Sequence, residues 1–157
     1  MKPPLSPLIG VISDAHGLLR PEAIEALRGV DHILHAGDVG DPLILDTLRE
    51  LAPVTAISGN IDVDGPCSHL PATEVVTLYG HTFYMLHDRH ALDLDPAAAG
   101  FAAVISGHSH RPLIEWRHGV LYLNPGSAGP RRFSLPISLA LLAIHADSLH
   151  PQLVNLP

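Results

Sequence analysis

Apolar residues in the first third of the chain form short continuous runs separated by stretches with helical spacing. Leu8-Ile9-Gly10-Val11-Ile12-Ser13, His32-Ile33-Leu34-His35-Ala36 and Val54-Thr55-Ala56-Ile57-Ser58 are runs of the kind buried in a parallel sheet. Between the first two, a helix opens at Pro21, with Glu22 and Glu25 near its positive end. Its apolar stripe is Ala23, Ile24, Ala26 and Leu27, and Gly29 ends it. Between the second and third runs, Asp41 caps a helix that begins at Pro42, carries Ile44, Leu45, Leu48 and Leu51, and is broken by Pro53. Strand, helix, strand, helix, strand in that order predicts right-handed parallel crossovers.

The rest is mostly strand. Thr73 to Leu78 and Thr82 to Leu86 flank the turn Tyr79-Gly80-His81, and Leu113 to Arg117 and Val120 to Leu123 flank His118-Gly119, so both pairs read as hairpins. A weak helix is expected over Asp95 to Gly100, followed by the strand Ala103-Val104-Ile105-Ser106. Ile137 to Ile144 fits a strand or a buried helix. The following Ala146-Asp147-Ser148 and Leu149 to Val154 complete a hairpin pattern, which favours strand.

Composition narrows the class. The 157 residues suit one domain, 1–157, and with 46% hydrophobic and 16% charged residues the chain has ample material for a core. A net charge of −7 argues against a broad electrostatic grip on nucleic acid, and so against a nuclease. The single cysteine, Cys67, rules out an internal disulfide. Met1 to Pro7 contains no apolar stretch of the secretory kind, and the run Ile137 to Ile144 is far short of the roughly 20 residues of a bilayer-spanning helix. The expected location is the cytoplasm, with no membrane partner.

Histidine changes the picture most. There are 12, and neutral imidazole is the commonest side-chain metal ligand. Five short segments place metal-competent residues just past an apolar run: Asp14-Ala15-His16, Gly37-Asp38, Gly59-Asn60-Ile61-Asp62, His87, and Gly107-His108-Ser109-His110. Each is weak alone. Together, at the carboxyl ends of neighbouring strands, they converge above one edge of the sheets, where ligand sites collect. The donors are oxygen and nitrogen without thiolate, which suits Mn²⁺, Fe, Zn²⁺ or Ni²⁺.

This ordered set resembles the calcineurin-like metallophosphoesterase superfamily, and within it the small single-domain YfcE-like phosphodiesterase branch, whose Asn-Pro-Gly-Ser loop is matched by Asn124-Pro125-Gly126-Ser127. The resemblance covers Leu8 to about Leu153 and implies an α/β fold, a two-sheet β-sandwich flanked by helices in an αββα arrangement, with two divalent metal ions at one edge. It implies that Asp14, His16 and His110 hold the first metal, that Asn60, His87 and His108 hold the second, and that Asp38 bridges them. Mn²⁺ is the metal it favours. Hydrolysis of a small phosphoester, most naturally a phosphodiester, would follow from a hydroxide bridging two cations about 3.5–4 Å apart and attacking phosphorus in line. The resemblance also points to a homodimer.

Two positions depart from the pattern. Relatives often carry a leaving-group acid directly after the Gly-Asn pair, where this chain has Ile61, which has no proton to give. The segment His87-Asp88-Arg89-His90 replaces the usual His-Gly-His; Arg89 is a candidate to steady phosphate and His90 a candidate acid, with a plain solvated loop as the other reading. Asp62 is expected to brace the Asn60 turn or a ligand histidine. A different class remains open: a scaffold resembling the retromer subunit of the same superfamily, with a weak or dead site. Retention of a competent residue at every ligand position favours the enzyme.

Overall fold

A computed structural model describes residues 6–157; the reading of Met1 to Leu5 lies outside the described residues. Among the described residues, ten strands form two mixed sheets of five. The first has the order β10-β9-β1-β2-β3 and the second β4-β5-β6-β8-β7. In the first, β1 (Leu8–Ile12), β2 (His32–His35) and β3 (Val54–Ala56) are parallel, joined through helices α1 (Pro21–Ala26) and α2 (Pro42–Arg49). Asp41 caps α2 by accepting a hydrogen bond from the Leu43 N–H at 2.9 Å. The hairpin of β9 (Ser138–His145) and β10 (Ser148–Asn155) is strand throughout and adds antiparallel to the other side of β1.

In the second sheet β5 (His81–Leu86), β6 (Ala103–Ile105) and β8 (Val120–Asn124) are parallel. The hairpin partners β4 (Thr73–Leu78) and β7 (Leu113–Arg117) form its edges. The turns Tyr79-Gly80 and His118-Gly119 each take two left-handed residues, so His81 belongs to β5 rather than to the turn.

Two buried layers explain the continuous apolar runs. Ile9 and Val11 of β1 and Leu34 of β2 face the other sheet, packing with Phe83, Met85 and Leu121. Ile12 and Ile33 point the other way, onto Leu27, Leu45 and Leu48 beneath the two helices. A strand covered on both faces needs apolar residues at every position. The outer face of the second sheet carries only a small cluster of Leu86, Val104 and Val120.

The weak helix expected over Asp95 to Gly100 is a single turn. Asp95 caps it through Oδ1 to the Ala97 and Ala98 N–H groups at 3.1 and 3.3 Å. Gly100 then enters the left-handed region at φ 80°, and the Phe101 N–H closes back on the Pro96 carbonyl at 2.9 Å. A stop so soon after the start leaves too few residues to propagate a helix.

Register places the loops. Ile12 lies beside His35 and His35 beside Ala56, while Met85 lies beside Ile105 and Ile105 beside Leu123. All six strands therefore end along one edge of the sandwich, and the segments after them share that edge. Among the described residues, no helix is long and apolar enough to cross a membrane.

Candidate metal centre

The strand-end loops bring Asp14, His16, Asp38, Asn60, His87, His108 and His110 to one place. Asp14 Oδ1 lies 3.5 Å from His110 Nε2 and 3.7 Å from both His16 Nε2 and His87 Nε2. Asp38 Oδ2 lies 3.3 Å from His16 Nε2 and 3.2 Å from His87 Nε2. Two groups of donor atoms are close enough to share an ion each, Asp14 with His16 and His110, and Asp14 with Asp38 and His87. Asp38 faces both His16 and His87, the position a bridging carboxylate needs, but Asp14 also approaches both.

The polar accounting is unbalanced without a cation. Asp14 Oδ1, His16 Nε2 and His110 Nδ1 are buried with no hydrogen-bond partner among the described residues, although such atoms are normally satisfied. His87 fixes its own tautomer: the Ala36 carbonyl, 2.7 Å from Nδ1, can only accept, so Nδ1 carries the hydrogen. In the neutral ring that leaves the Nε2 lone pair facing the Asp38 carboxylate at 3.2 Å, a contact that only a second ring proton or a cation makes favourable. Asn60 turns one end of its amide toward Asp38 Oδ1 and Oδ2, His87 Nε2 and His108 Nδ1, at 3.2, 3.1, 3.1 and 3.3 Å. With nitrogen at that end Asn60 donates to the cluster. With oxygen there, Asn60 can accept from His108 Nδ1 at 3.3 Å but meets the Asp38 oxygens lone pair to lone pair, a contact that a cation would satisfy.

The electrostatics agree. Burial alone would raise Asp38, but hydrogen bonds from His87 and the Ile61 N–H, with the nearby positive charge of His87 and His16, hold its carboxyl below the usual range. Burial would lower His87; hydrogen bonds to Asp38 and the Ala36 carbonyl, and the charges of Asp14 and Asp38, lift it above the ordinary imidazole value. The site attracts positive charge, whether proton or metal.

Strain and close approach hold these groups. Asp14, His16, Asp38, His108 and His110 all have φ between 47° and 71°, a region costing a non-glycine residue on the order of 1 kcal/mol or more. Ladder-like bonds over-determine it: the His16 N–H reaches the Asp38 carbonyl at 2.8 Å and the Asp14 N–H reaches the Gly37 carbonyl at 3.0 Å. Gly59 and Gly107 let the backbone press against the carboxylates. A Cβ on Gly59 would lie 2.7 Å from Asp38 Cγ, and one on Gly107 would lie 2.6 Å from Asp14 Oδ2.

Two buried brackets tie the loops together. Asp62 accepts from the Gly59, Val39 and Gly40 N–H groups at 2.9, 3.1 and 3.0 Å, clamping the Asn60 turn to the Asp38 loop. In the Asn124-Pro125-Gly126-Ser127 segment, Asn124 Nδ2 donates to the Gly107 carbonyl at 2.9 Å, and Ser127 Oγ donates to the Asp14 carbonyl at 3.0 Å. This second bracket spans loops that meet only in the fold, so the motif match alone did not reveal its work. Sequence reasoning also passed over Asp88, whose Oδ2 lies 3.9 Å from His108 Nε2, and the fully buried His35 behind the cluster.

Arg89 and His90 occupy a short 3-10 turn, Arg89–Ala91, beside His108. Arg89 is engaged by Glu115 at 3.3 Å and His90 is exposed. Ile61 points out, 41% exposed, and offers no proton. Arg131 and Arg132 are exposed, though the charge of Arg132 joins burial in holding His110 low.

A sandwich whose strand-end loops gather aspartate and histidine in this way is a metallophosphoesterase. The sequence profile of the calcineurin-like phosphoesterase superfamily domain matches residues 8–147, and the chain belongs to that superfamily. It is 38% identical to a probable metallophosphoesterase of Methanocaldococcus jannaschii, over 94% of this chain and 80% of that one. It is also 38% identical to one of Methanothermobacter thermautotrophicus, over 94% and 92%. The fold is shared with vacuolar protein sorting 29 of Cryptosporidium parvum, at a TM-score of 0.82 and 20% identity over 98% of this chain and 93% of that one. A novel archaeal phosphodiesterase superposes at 0.77, with 22% identity over 94% and 99%. A predicted phosphoesterase of Streptococcus pneumoniae superposes at 0.74, with 23% identity over 96% and 90%.

Proposed function

We propose that this protein is a cytoplasmic phosphodiesterase that works with two divalent cations, Mn²⁺ first among them. The His87–Asp38 contact carries the reading: with the Nδ1 hydrogen held toward Ala36, Nε2 and the carboxylate meet at 3.2 Å, a contact that positive charge reconciles, and the unpartnered Asp14 Oδ1 and His16 Nε2 lie within 3.7 Å of the same pair. Asp14, His16 and His110 would hold one ion, Asn60, His87 and His108 the other, and Asp38 both. When bound, such ions supply the positive charge that activates water and meets the charge growing on the phosphoryl oxygens.

The chain's own residues do the rest. The Ala36 carbonyl keeps the His87 proton on Nδ1, so Nε2 stays free as a donor atom. The Ile61 N–H anchors Asp38 Oδ1 and leaves Oδ2 turned to both His16 and His87. Ser13 Oγ and the His108 N–H hold Asp14 Oδ2 at 2.8 and 3.0 Å, leaving Oδ1 for the cluster. Arg89 and His90 stand at the mouth as the groups to steady phosphate or protonate a leaving oxygen.

The scaffold reading draws on the high similarity to vacuolar protein sorting 29, a likeness of fold. Turnover of bis-p-nitrophenyl phosphate with and without Mn²⁺, beside a thermal melt, separates the two. An enzyme hydrolyses the diester only with metal, and metal at a hundred times its dissociation constant raises Tm by about 5–10 °C. No turnover with Mn²⁺, Fe²⁺, Zn²⁺ or Ni²⁺ and no change in Tm would leave the scaffold.

A further inference from the structure

Two grooves reach the metal cluster, one at His108 and the other at Asn60 and His87. One, of about 590 Å³, runs from His108 past Arg89, His90 and Arg111. The other, of about 490 Å³, runs from Asn60 and His87 past Val63, Thr73 and Asp93. Asp88 lines both. Each is of a size that takes a small organic group.

Their chemistry differs. The second groove is lined by no lysine or arginine and includes Asp88 and Asp93. In the first, Glu115 takes up Arg89 at 3.3 Å, whereas no carboxylate among the described residues engages the Arg111 guanidinium. Pro112, Leu113 and Leu135 give that groove an apolar wall beside the free cation.

We infer that the substrate is an unsymmetrical phosphodiester whose anionic ester arm lies along Arg111 and whose neutral arm lies in the groove past Thr73. The inference rests on the phosphodiesterase reading and assigns its two arms. A monoester would fill only one groove. In the reaction a water oxygen bonds to phosphorus as one phosphorus–oxygen ester bond breaks. The ester oxygen leaves with the bonding pair, and the proton from water passes to it or to solvent.

The probes are p-nitrophenyl 2-carboxyethyl phosphate and p-nitrophenyl ethyl phosphate, which share a leaving group, the other arm ending in a carboxylate in the first and in a methyl group in the second, with p-nitrophenyl 2-carbamoylethyl phosphate as the uncharged control of the same size. With Mn²⁺-loaded wild type, kcat/KM for the carboxylated diester should exceed that for the ethyl diester at least tenfold. Arg111→Met should bring the ratio near one, and Arg111→Lys should restore part of it. Calorimetric titration with 2-carboxyethyl phosphate and ethyl phosphate reads the same preference without turnover. Hydrolysis of both diesters with no preference, or a preference that survives Arg111→Met, overturns the arm assignment and leaves the phosphodiesterase reading intact. No hydrolysis, with a tenfold binding preference that Arg111→Met removes, keeps the groove assignment and sinks the hydrolytic reading.

Discussion

Replacing Gly59 with alanine tests how tightly the fold grips Asp38. The Gly59 backbone sits at φ −104° and ψ −169°, extended geometry that alanine adopts freely. Conformational strain therefore contributes nothing, and the effect is purely steric. The new methyl group would overlap both Oδ1 and the main-chain nitrogen of Asp38 and lie 2.7 Å from its Cγ. Rotating the carboxylate away relieves only the side-chain contacts. The nitrogen belongs to a residue already held at φ 55°, with its carbonyl accepting from the His16 N–H at 2.8 Å. Restoring ordinary contact takes a relative shift of about 1 Å, and overpacking of this kind costs about 1–3 kcal/mol, or roughly 3–10 °C in Tm for a chain of this size. A misplacement of about 1 Å at a reacting centre costs on the order of a hundredfold in turnover. Gly59→Ala should thus lower kcat for bis-p-nitrophenyl phosphate about a hundredfold and weaken Mn²⁺ binding by calorimetry, while the protein still melts cooperatively. A variant within threefold of wild type in kcat, with unaltered Mn²⁺ affinity, would refute the claim that this contact positions Asp38.

Further outcomes follow from the same geometry. Asp38→Asn keeps an oxygen for the Ile61 N–H but removes the charge facing His16 and His87, and should cost at least a hundredfold in kcat, about 3 kcal/mol or more; near-normal steady-state turnover would remove Asp38 from the bridge. Ser127→Ala strips the hydroxyl that bonds the Asp14 carbonyl and the Gly129 N–H, leaving buried groups unpaired. It should lower stability by about 1–3 kcal/mol in denaturant melts and weaken Mn²⁺ binding, and an unchanged melt with unchanged affinity would show the bracket to be dispensable. His35 is fully buried, and burial pushes its imidazole down to about 4 from an ordinary 6.5. Below pH 6.5 the unfolded chain takes up a proton there that the native state refuses, so stability falls between pH 6.5 and about 4, by about 3 kcal/mol in total. The difference in unfolding free energy between metal-free wild type and His35→Gln, followed across that range, should show this slope; a pH-independent difference would mean His35 titrates normally.

The sequence by itself determined most of the frame. The runs Leu8 to Ser13 and His32 to Ala36 announced strands covered on both faces, because only a doubly covered strand needs apolar residues at consecutive positions. Asp41-Pro42 fixed the start of α2, since capping chemistry is local. The candidate donors were legible for the same reason: each follows a strand, and side-chain chemistry does not depend on the partner. Tertiary structure decided what depends on distance between loops. That Asp38 Oδ2 faces His16 and His87 together, that His87 keeps its proton toward Ala36, and that Ser127 reaches the Asp14 carbonyl all require segments far apart in the chain to meet. The same holds for Arg111, which nothing in the local sequence singles out. Its place in a groove beside His108 arises only when β6 and β7 take their positions in the second sheet.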